Sequence, residues 1–216
     1  MLSASQWDVR SALELGSGGG NDASHLKRHF EMTLVDLSPA MLRVSQMLNP
    51  TCEHAQGDMR AIRLNRQFHA VLVHDAVGYM ASEEDLHRAI ETAYLHCSPG
   101  AVALFAPDHV CETLRPHTEH GGHNGTSRSL RYLHWTSDPD PRDTVYQALI
   151  VYVLRRGDEI DVVEDIHVCG LFGVRAWLRT VGEAGFDARA LPFEHSGAEP
   201  GSTTVVLGAR PEQPRI

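Results

Sequence analysis

The sequence has no long hydrophobic run, no strongly basic segment and no paired cysteine motif. No window approaches 18 consecutive apolar residues, so no membrane span is expected, and the first residues lack the basic and apolar regions of a secretory signal. Lys and Arg never occur in runs longer than two and the formal net charge is -9, which makes the chain a poor binder of nucleic acid. The four cysteines are scattered without a CxxC pair, so we predict reduced thiols and a cytoplasmic location.

The first hundred residues alternate short apolar runs with helical patterns. At 216 residues the chain is long enough for one domain with a core, with or without an insertion. We predict strands at 11–15, 32–37, 52–56, 68–77 and 101–107, and helices at 22–30, 38–48 and 83–96. Ser38 before Pro39, and Ser82, are the expected N-caps of the last two helices. Repeated strand–helix units predict an α/β fold with a doubly wound, mainly parallel sheet, whose ligands bind at the carboxyl ends of the strands.

The pattern changes after Pro107. Residues 108–127 are polar and rich in His and Gly, which predicts an irregular loop. Three β-like runs follow, at 128–137, 144–156 and 159–172, with "RRGDE" as a hairpin turn between the last two. They predict an antiparallel β lid inserted after the fifth strand. The α/β pattern then resumes with a helix that stops at Gly185 and strands at 190–195 and 203–210. We therefore divide the chain into a core at 1–107, an insertion at 108–173 and a C-terminal part of the core at 174–216.

The stretch "ALELGSGGGND" carries the most specific motif, E-x-G-x-G-x-G from Glu14 to Gly20. It is not the dinucleotide fingerprint GxGxxG, since the sixth position from Gly16 is Asn21, and it lacks the Lys of a phosphate-binding P-loop. By itself the motif is also compatible with a tight strand–helix turn without a ligand.

Three further elements follow the glycine turn in order. Asp36 ends the second strand, where a carboxylate can accept hydrogen bonds from both ribose hydroxyls of an adenosine; it could equally cap the next helix. In "GDM", Asp58 can accept from the adenine amine and Met59 can supply an apolar wall. The strand ending "VHDAVGYM" would place its tip at the reactive end of the ligand, although its polar residues could simply be hydrogen-bonded in the core.

With these four elements the sequence resembles the class I S-adenosylmethionine-dependent methyltransferases, from Ala12 to Pro107 and again at 177–186. The resemblance implies a seven-stranded Rossmann-like sheet with its last strand antiparallel, and S-adenosylmethionine as cofactor. The insertion resembles the lid of the nucleotide-sugar and glycine N-methyltransferases. Family members carry tens of residues before the glycine turn. Here residues 1–10 precede the first predicted strand, which leaves open a misassigned start, an open pocket, or cover from the lid or a second subunit.

The resemblance also implies a set of cofactor contacts. Gly16 and Gly18 would approach the methionine portion, Asp36 would hold the ribose, and His74 would lie near the methyl donor. The full set of implied cofactor-binding residues is Glu14, Gly16, Ser17, Gly18, Gly20, Asp36, Leu37, Met41, Asp58, Met59 and His74.

We expect in-line methyl transfer to an N or O acceptor on a small molecule, with no nucleic-acid or membrane partner and a second copy of the chain as a candidate partner. His74, Tyr79 and His167 are the candidate catalytic bases. The alternative is a cofactor-binding pseudo-enzyme or assembly module, while Asn21 and "GDM" argue against a nucleotide-dependent oxidoreductase. His117, His120 and His123 suggest zinc by their spacing, but the Gly-Gly between them favours a solvated loop, and no metal site is predicted.

Overall fold

A computed structural model of the protein describes residues 10–193 and 203–212, which form two β-sheets and four α-helices. The strands are β1 Ser11–Leu15, β2 Glu31–Asp36, β3 Glu53–Gln56, β4 Phe68–His74, β5 Cys97–Ala106, β6 His117–Asn124, β7 Arg128–Ser137, β8 Val145–Arg156, β9 Glu159–Gly170, β10 Asp187–Phe193 and β11 Thr203–Ala209. The helices are α1 Asn21–Leu26, α2 Pro39–Leu48, α3 Glu83–His96 and α4 Val174–Glu183, with a 3₁₀ helix at Ala76–Tyr79.

The main sheet has seven strands in the order β10-β11-β5-β4-β1-β2-β3. The pairs among β1 to β5 are parallel, and β11 runs antiparallel to both of its neighbours. The predicted seven-stranded, mainly parallel sheet with an antiparallel last strand is therefore confirmed. Because the strands are parallel, the segments after β1, β2, β4 and β5 all emerge along one edge, and the functional site is built there.

The two predicted serine N-caps are confirmed. Ser38 Oγ accepts the Met41 N–H at 3.3 Å, and Ser82 Oγ accepts the Asp85 N–H at 3.1 Å. The first helix was predicted at 22–30, which is wrong at its C-terminal end, because α1 stops at Leu26. The Leu26 carbonyl accepts the N–H groups of both His29 and Phe30, so a tight turn replaces the last helical turn and leads the chain back into β2.

The core of the main sheet is apolar on both faces. Fully buried side chains on β1, β4 and β5, including Leu13, Val71 and Phe105, pack against buried side chains of α3 and α4, including Ile90 and Trp177. Because both faces of the sheet are covered, the sequences of these strands are nearly continuous apolar runs. This packing holds the glycine turn and the β4 tip at fixed positions.

The second sheet is an antiparallel meander in the order β6-β7-β8-β9. The predicted inserted antiparallel sheet and its "RRGDE" hairpin turn are confirmed, with Gly157 at φ 60° between β8 and β9. The prediction of an irregular loop over 108–127 is wrong for His117–Asn124, which form β6. The division of the chain at 107 and 173 remains a proposal.

Strand β6 forms despite its polar, glycine-containing sequence because it is an exposed edge strand. It needs no apolar face, and it pairs with β7 along its whole length, from His117 with Thr136 to Asn124 with Ser129. Its glycines leave room for β7: a Cβ at Gly121 would lie 2.7 Å from the Tyr132 hydroxyl oxygen. Pairing therefore overrides a composition that is typical of loops.

Among the described residues, no helix is long and apolar enough to cross a membrane. The predicted strand at 190–195 corresponds to β10, which starts earlier, at Asp187, while Glu194 and His195 lie outside the described residues.

Candidate functional site

The turn between β1 and α1 depends on three glycines with positive φ. Gly16 and Gly20 have φ of 77° and 79°, and Gly18 has φ of 51°, all in the left-handed region. A Cβ at Gly16 would also lie 2.3 Å from the Ala76 Cβ and 2.8 Å from the Met59 Cε. A Cβ at Gly18 would meet no atom within 4 Å. The turn thus packs tightly against the start of the 3₁₀ helix at Gly16 and is open at Gly18.

Asp36, at the end of β2, fastens the glycine turn to the start of α2. Its carboxylate accepts the Gly18 N–H at 2.7 Å and the Ser38 N–H at 2.8 Å. Asp36 therefore supports the helix start, although Ser38 is the N-cap, and it stands at the carboxyl edge beside the turn. Its role in holding a ribose stays a prediction. Leu37 and Met41 next to it are exposed, which leaves an apolar surface beside an acid.

Asp58 is already paired with a cation. Its carboxylate accepts hydrogen bonds from Nε of the Arg60 guanidinium, from Nη2 at 2.6 Å, and from the Arg60 backbone N–H at 2.8 Å. The hydrogen bond from Arg60 holds the pKa of Asp58 below its usual range. Arg60 also reaches Asp85 at 3.1 Å. Met59 is buried under the glycine turn, so of the two "GDM" side chains it is the one that contacts the turn.

Glu14 and Ser17 present buried polar atoms to the interior of the turn. Glu14 is 3% exposed, and within the described structure neither its Oε2 atom nor the Ser17 Oγ has a hydrogen-bond partner. Burial, and then the nearby negative charge of Asp22, raise the pKa of Glu14 to about 8. The turn therefore holds a carboxyl that is mostly protonated at neutral pH and two polar atoms that a ligand can satisfy.

His74, the last residue of β4, is clamped between two carboxylates. Its Nδ1 lies 2.6 Å from Asp22 Oδ2 and its Nε2 lies 2.9 Å from Asp75 Oδ1. These hydrogen bonds, Asp22 first, raise the pKa of His74 to about 10. His74 is therefore a cation at neutral pH and a poor proton acceptor, although the sequence analysis predicted it as a candidate base.

Asp75 and Asp108 form an acidic pair at the ends of β4 and β5. Burial, and then the charge of Asp75, raise the pKa of Asp108 to about 6, whereas the hydrogen bond from His74 lowers the pKa of Asp75. Asp75 has φ of 48°, a strained conformation for a residue with a side chain. Strain of this kind is common at functional sites, and here it turns the chain sharply from β4 into the 3₁₀ helix.

A cavity of about 730 Å³ lies between this edge and the second sheet. One row of directly paired residues across the second sheet faces it, namely His117, Thr136, Ala148 and His167. From the main sheet it is lined by Asp75, Tyr79 and Asp108. The volume and the mixture of polar and aromatic walls are those of a small-molecule site.

Two of the three predicted catalytic candidates meet in this cavity. Tyr79 Oη lies 2.6 Å from His167 Nδ1, and the two ring centroids are 5.6 Å apart. His74 is not part of this pair. The structure therefore brings Tyr79, on the 3₁₀ helix after β4, to His167 on β9 of the second sheet, and leaves His74 at the end of β4 beside Asp22.

His117, His120 and His123, whose spacing suggested zinc, do not share one face of β6. Strand alternation puts His117 on the cavity face and His120 on the opposite face of β6. Instead, His117 neighbours His109 and His134, with ring centroids 5.8 Å and 6.3 Å away. Burial lowers the pKa of both His109 and His134. Among the described residues no group of three His, Cys, Asp or Glu side chains is placed to hold a metal ion.

Sequence patterns missed several cavity residues, which are Asp108, His109, Arg115, Glu119 and Tyr146. Asp108 and His109 directly follow the fifth strand, and this position at a carboxyl end is the one signal that could have indicated them. Glu119 and Tyr146 lie on the second sheet, and Arg115 lies in the segment just before it. Only the three-dimensional arrangement brings them to the site.

The fold and the turn define a class. A seven-stranded sheet of this order, with a glycine turn after β1 and an acid at the end of β2, is the Rossmann-like fold of class I methyltransferases. Residues 12–100 match the protein family described as "Methyltransferase domain".

Three known sugar N-methyltransferases are similar to this chain. The dTDP-3-amino-3,4,6-trideoxy-alpha-D-glucopyranose N,N-dimethyltransferase of Streptomyces venezuelae is 33% identical over 102 residues, covering 46% of this chain and 43% of that enzyme. The dTDP-3-amino-3,6-dideoxy-alpha-D-glucopyranose N,N-dimethyltransferase of Streptomyces fradiae is 27% identical over 208 residues, covering 94% of this chain and 79% of that enzyme. The sugar N-methyltransferase KedS8 from Streptoalloteichus has a similar fold, with a TM-score of 0.85 at 24% identity over 94% of this chain and 81% of that one.

Residues 12–100 thus match a methyltransferase domain, and the chain resembles the nucleotide-sugar N-methyltransferases, as the sequence predicted. The cofactor of this class is S-adenosylmethionine. The turn fits it: the partnerless atoms of Glu14 and Ser17 and the open space at Gly18 are where a ligand can approach the backbone. The match to the first relative spans less than half of that enzyme, 43%.

Proposed function

We propose that the protein transfers a methyl group to an amine nitrogen of a small molecule, and that this molecule is an amino sugar carried on a nucleotide. The observation that carries the proposal is the cavity of about 730 Å³ at the ends of β4 and β5, lined by Asp75 and Asp108. Two relatives that act on dTDP-linked amino sugars support the substrate class. The free thiols of all four cysteines support a cytoplasmic location.

The roles proposed for the turn residues follow from their placement. Gly16, Gly18 and Gly20, with Glu14 and Ser17, would surround the methionine portion of the cofactor. Asp36 would hold the ribose, while Leu37 and Met41 with Asp58 and Met59 would flank the adenine. His74 would lie near the methyl donor as a fixed cation. S-adenosylmethionine, when bound, supplies a methyl group on a positively charged sulfur. The chain's own residues then orient the acceptor and take its proton.

The test is a transfer assay with methyl-labelled S-adenosylmethionine. The acceptors are a dTDP-linked 3-amino-deoxyglucose and, as the matched control, the same nucleotide sugar with a hydroxyl at that carbon. We expect label on the amino sugar alone. Label on the hydroxyl sugar would contradict the nitrogen acceptor. Tight cofactor binding without transfer to either compound would favour the non-catalytic alternative.

We also propose that a second copy of the chain covers the outer face of the second sheet. Directly paired residues put Trp135, Leu149 and Ile166 on this face, away from the cavity, and Val162 and Val168 extend it along β9. Ile166 and Val162 are each 62% exposed. A contiguous apolar surface of this kind usually marks an interface.

Changing Ile166→Glu is therefore expected to shift the protein from dimer to monomer, because a charge would be buried between the second sheets of the two copies. Size-exclusion chromatography with light scattering measures this. Leu191→Glu is the matched control, since Leu191 is an exposed apolar residue on β10 in the other sheet, and it should leave the mass unchanged. A wild-type protein that is monomeric at all concentrations would contradict the proposal.

A further inference from the structure

Tyr79, His167 and Asp165 form a continuous chain of hydrogen bonds from the cavity to the edge of the second sheet. Tyr79, on the 3₁₀ helix after β4, lies 2.6 Å from His167 Nδ1 on β9, and His167 Nε2 lies 3.1 Å from Asp165 Oδ2 two residues earlier on the same strand. Residues two apart in a strand share a face, so Asp165 and His167 both face the cavity side. Tyr79 and His167 line the cavity itself.

The chemistry of the three groups fixes the direction of the hydrogen bonds. An ionised carboxylate only accepts, so the neutral His167 ring must carry its proton on Nε2 and donate it to Asp165. Its Nδ1 is then a free acceptor for the Tyr79 hydroxyl proton. Tyr79 Oη in turn keeps lone pairs that point toward the cavity. This arrangement can accept one proton at the tyrosine and store it on the imidazole.

An amine acceptor needs such a path. In its ammonium form the nitrogen has no lone pair and cannot attack a methyl group, so a proton must leave before transfer. Burial, and then the charges of Cys169 and Asp108, hold the pKa of Tyr79 above its usual range. Tyr79 therefore keeps its own proton at neutral pH and can accept another only by passing its own on.

We propose that Tyr79 and His167 carry the proton of the acceptor amine out of the cavity, and that Asp165 is the positioning residue that makes His167 able to receive it. In this step an N–H bond of the substrate ammonium breaks and its electron pair stays on nitrogen. The proton forms an O–H bond on Tyr79, the original Tyr79 O–H bond breaks, and that proton forms an N–H bond at His167 Nδ1. The imidazolium lies beside the Asp165 carboxylate, and water later takes the proton. This inference rests on the proposed amine methylation.

Other titratable groups lie around the hydrogen-bonded Tyr79, His167 and Asp165. They are Cys169 on β9, Tyr146 and Tyr152 on β8, His134 on β7, His117 and Glu119 on β6, and Asp75, Asp108 and His109 at the ends of β4 and β5. None of them changes in the variant that follows, so a difference from wild type reports Asp165.

The first test does not need turnover. In cofactor-free protein with ¹⁵N-labelled histidine, the His167 signals are assigned with His167→Gln. The two ring nitrogen shifts, which report whether Nδ1 or Nε2 carries the proton, are then compared in wild type, Asp165→Asn and Asp165→Glu. Wild type should carry the proton on Nε2, losing the carboxylate should move the population toward the Nδ1 form, and Asp165→Glu should restore the wild-type tautomer. Asp161→Asn is the matched control, with the same change on the same strand at an exposed residue. An Asp165→Asn protein with the same ring shifts as Asp161→Asn would overturn the proposal.

The second test uses the amine methyltransferase assay. For Asp165→Asn we expect kcat to fall by about tenfold or more, with KM for the amine and binding of S-adenosylmethionine unchanged, and Asp165→Glu to restore kcat. A kcat equal to that of Asp161→Asn would overturn the proposal. If the wild-type protein methylates no amine, the proposed function fails, and the proton path falls with it even where the ring shifts show the His167–Asp165 coupling.

Discussion

Replacing Asp36 by alanine is expected to weaken S-adenosylmethionine binding by about two to three orders of magnitude. Hydrogen bonds to a charged group contribute about 1.5–3 kcal/mol each, and a ribose offers two hydroxyls to this carboxylate. Asp36→Ala also releases the Gly18 and Ser38 N–H groups, which loosens the glycine turn. Isothermal titration calorimetry measures the affinity.

The matched control for Asp36 is Glu31→Ala, which removes an exposed acid from the opposite end of β2. It should bind S-adenosylmethionine as wild type does. Thermal unfolding of both variants separates a lost contact from a lost fold. Wild-type affinity in Asp36→Ala would contradict the role proposed for this residue.

Replacing Gly16 by alanine should strongly destabilise the protein. The backbone φ of 77° disfavours any side chain, and the added Cβ would lie 2.3 Å from the Ala76 Cβ, which belongs to the packed start of the 3₁₀ helix. Strain at such a φ and overpacking each cost about 1–3 kcal/mol, so we expect a loss of roughly 3 kcal/mol or more of unfolding free energy. Cofactor binding should be lost as well. Urea unfolding and calorimetry measure the two effects.

Gly182→Ala provides the comparison. Gly182 lies inside α4, and a Cβ there would meet no atom within 4 Å. The same substitution should leave stability unchanged or raise it by up to about 1 kcal/mol, because alanine favours helix over glycine. Equal stability of the two variants would show that the turn tolerates a side chain.

The parallel half of the fold was predictable because its signals are local. Contiguous apolar runs identified β1, β2 and β4, and a serine before an apolar stripe identified the starts of α2 and α3. The end of α1 was missed, since the turn there depends on where β2 must begin. Strand β6 was missed because pairing with β7, rather than its own composition, makes it a strand.

The site was predictable to a similar extent and for the same reason. The glycine turn and Asp36 lie within one strand–helix–strand unit, so spacing alone indicated that they meet. Tyr79 and His167 were both candidates, but no spacing predicts that they touch, and Asp165 gave no signal. Their contact depends on how the second sheet lies over the edge of the first, which is a property of the tertiary structure.

The position of the second sheet in the chain has a consequence for how the protein folds. Phe105 of β5 pairs with Val206 of β11, and all four strands of the second sheet come between them in sequence. Closing such a long loop costs chain entropy and slows folding. The meander, in contrast, contains only pairings between neighbouring strands, which form quickly. We therefore expect the second sheet to fold early and to shorten the loop that remains, so that β11 completes the main sheet last.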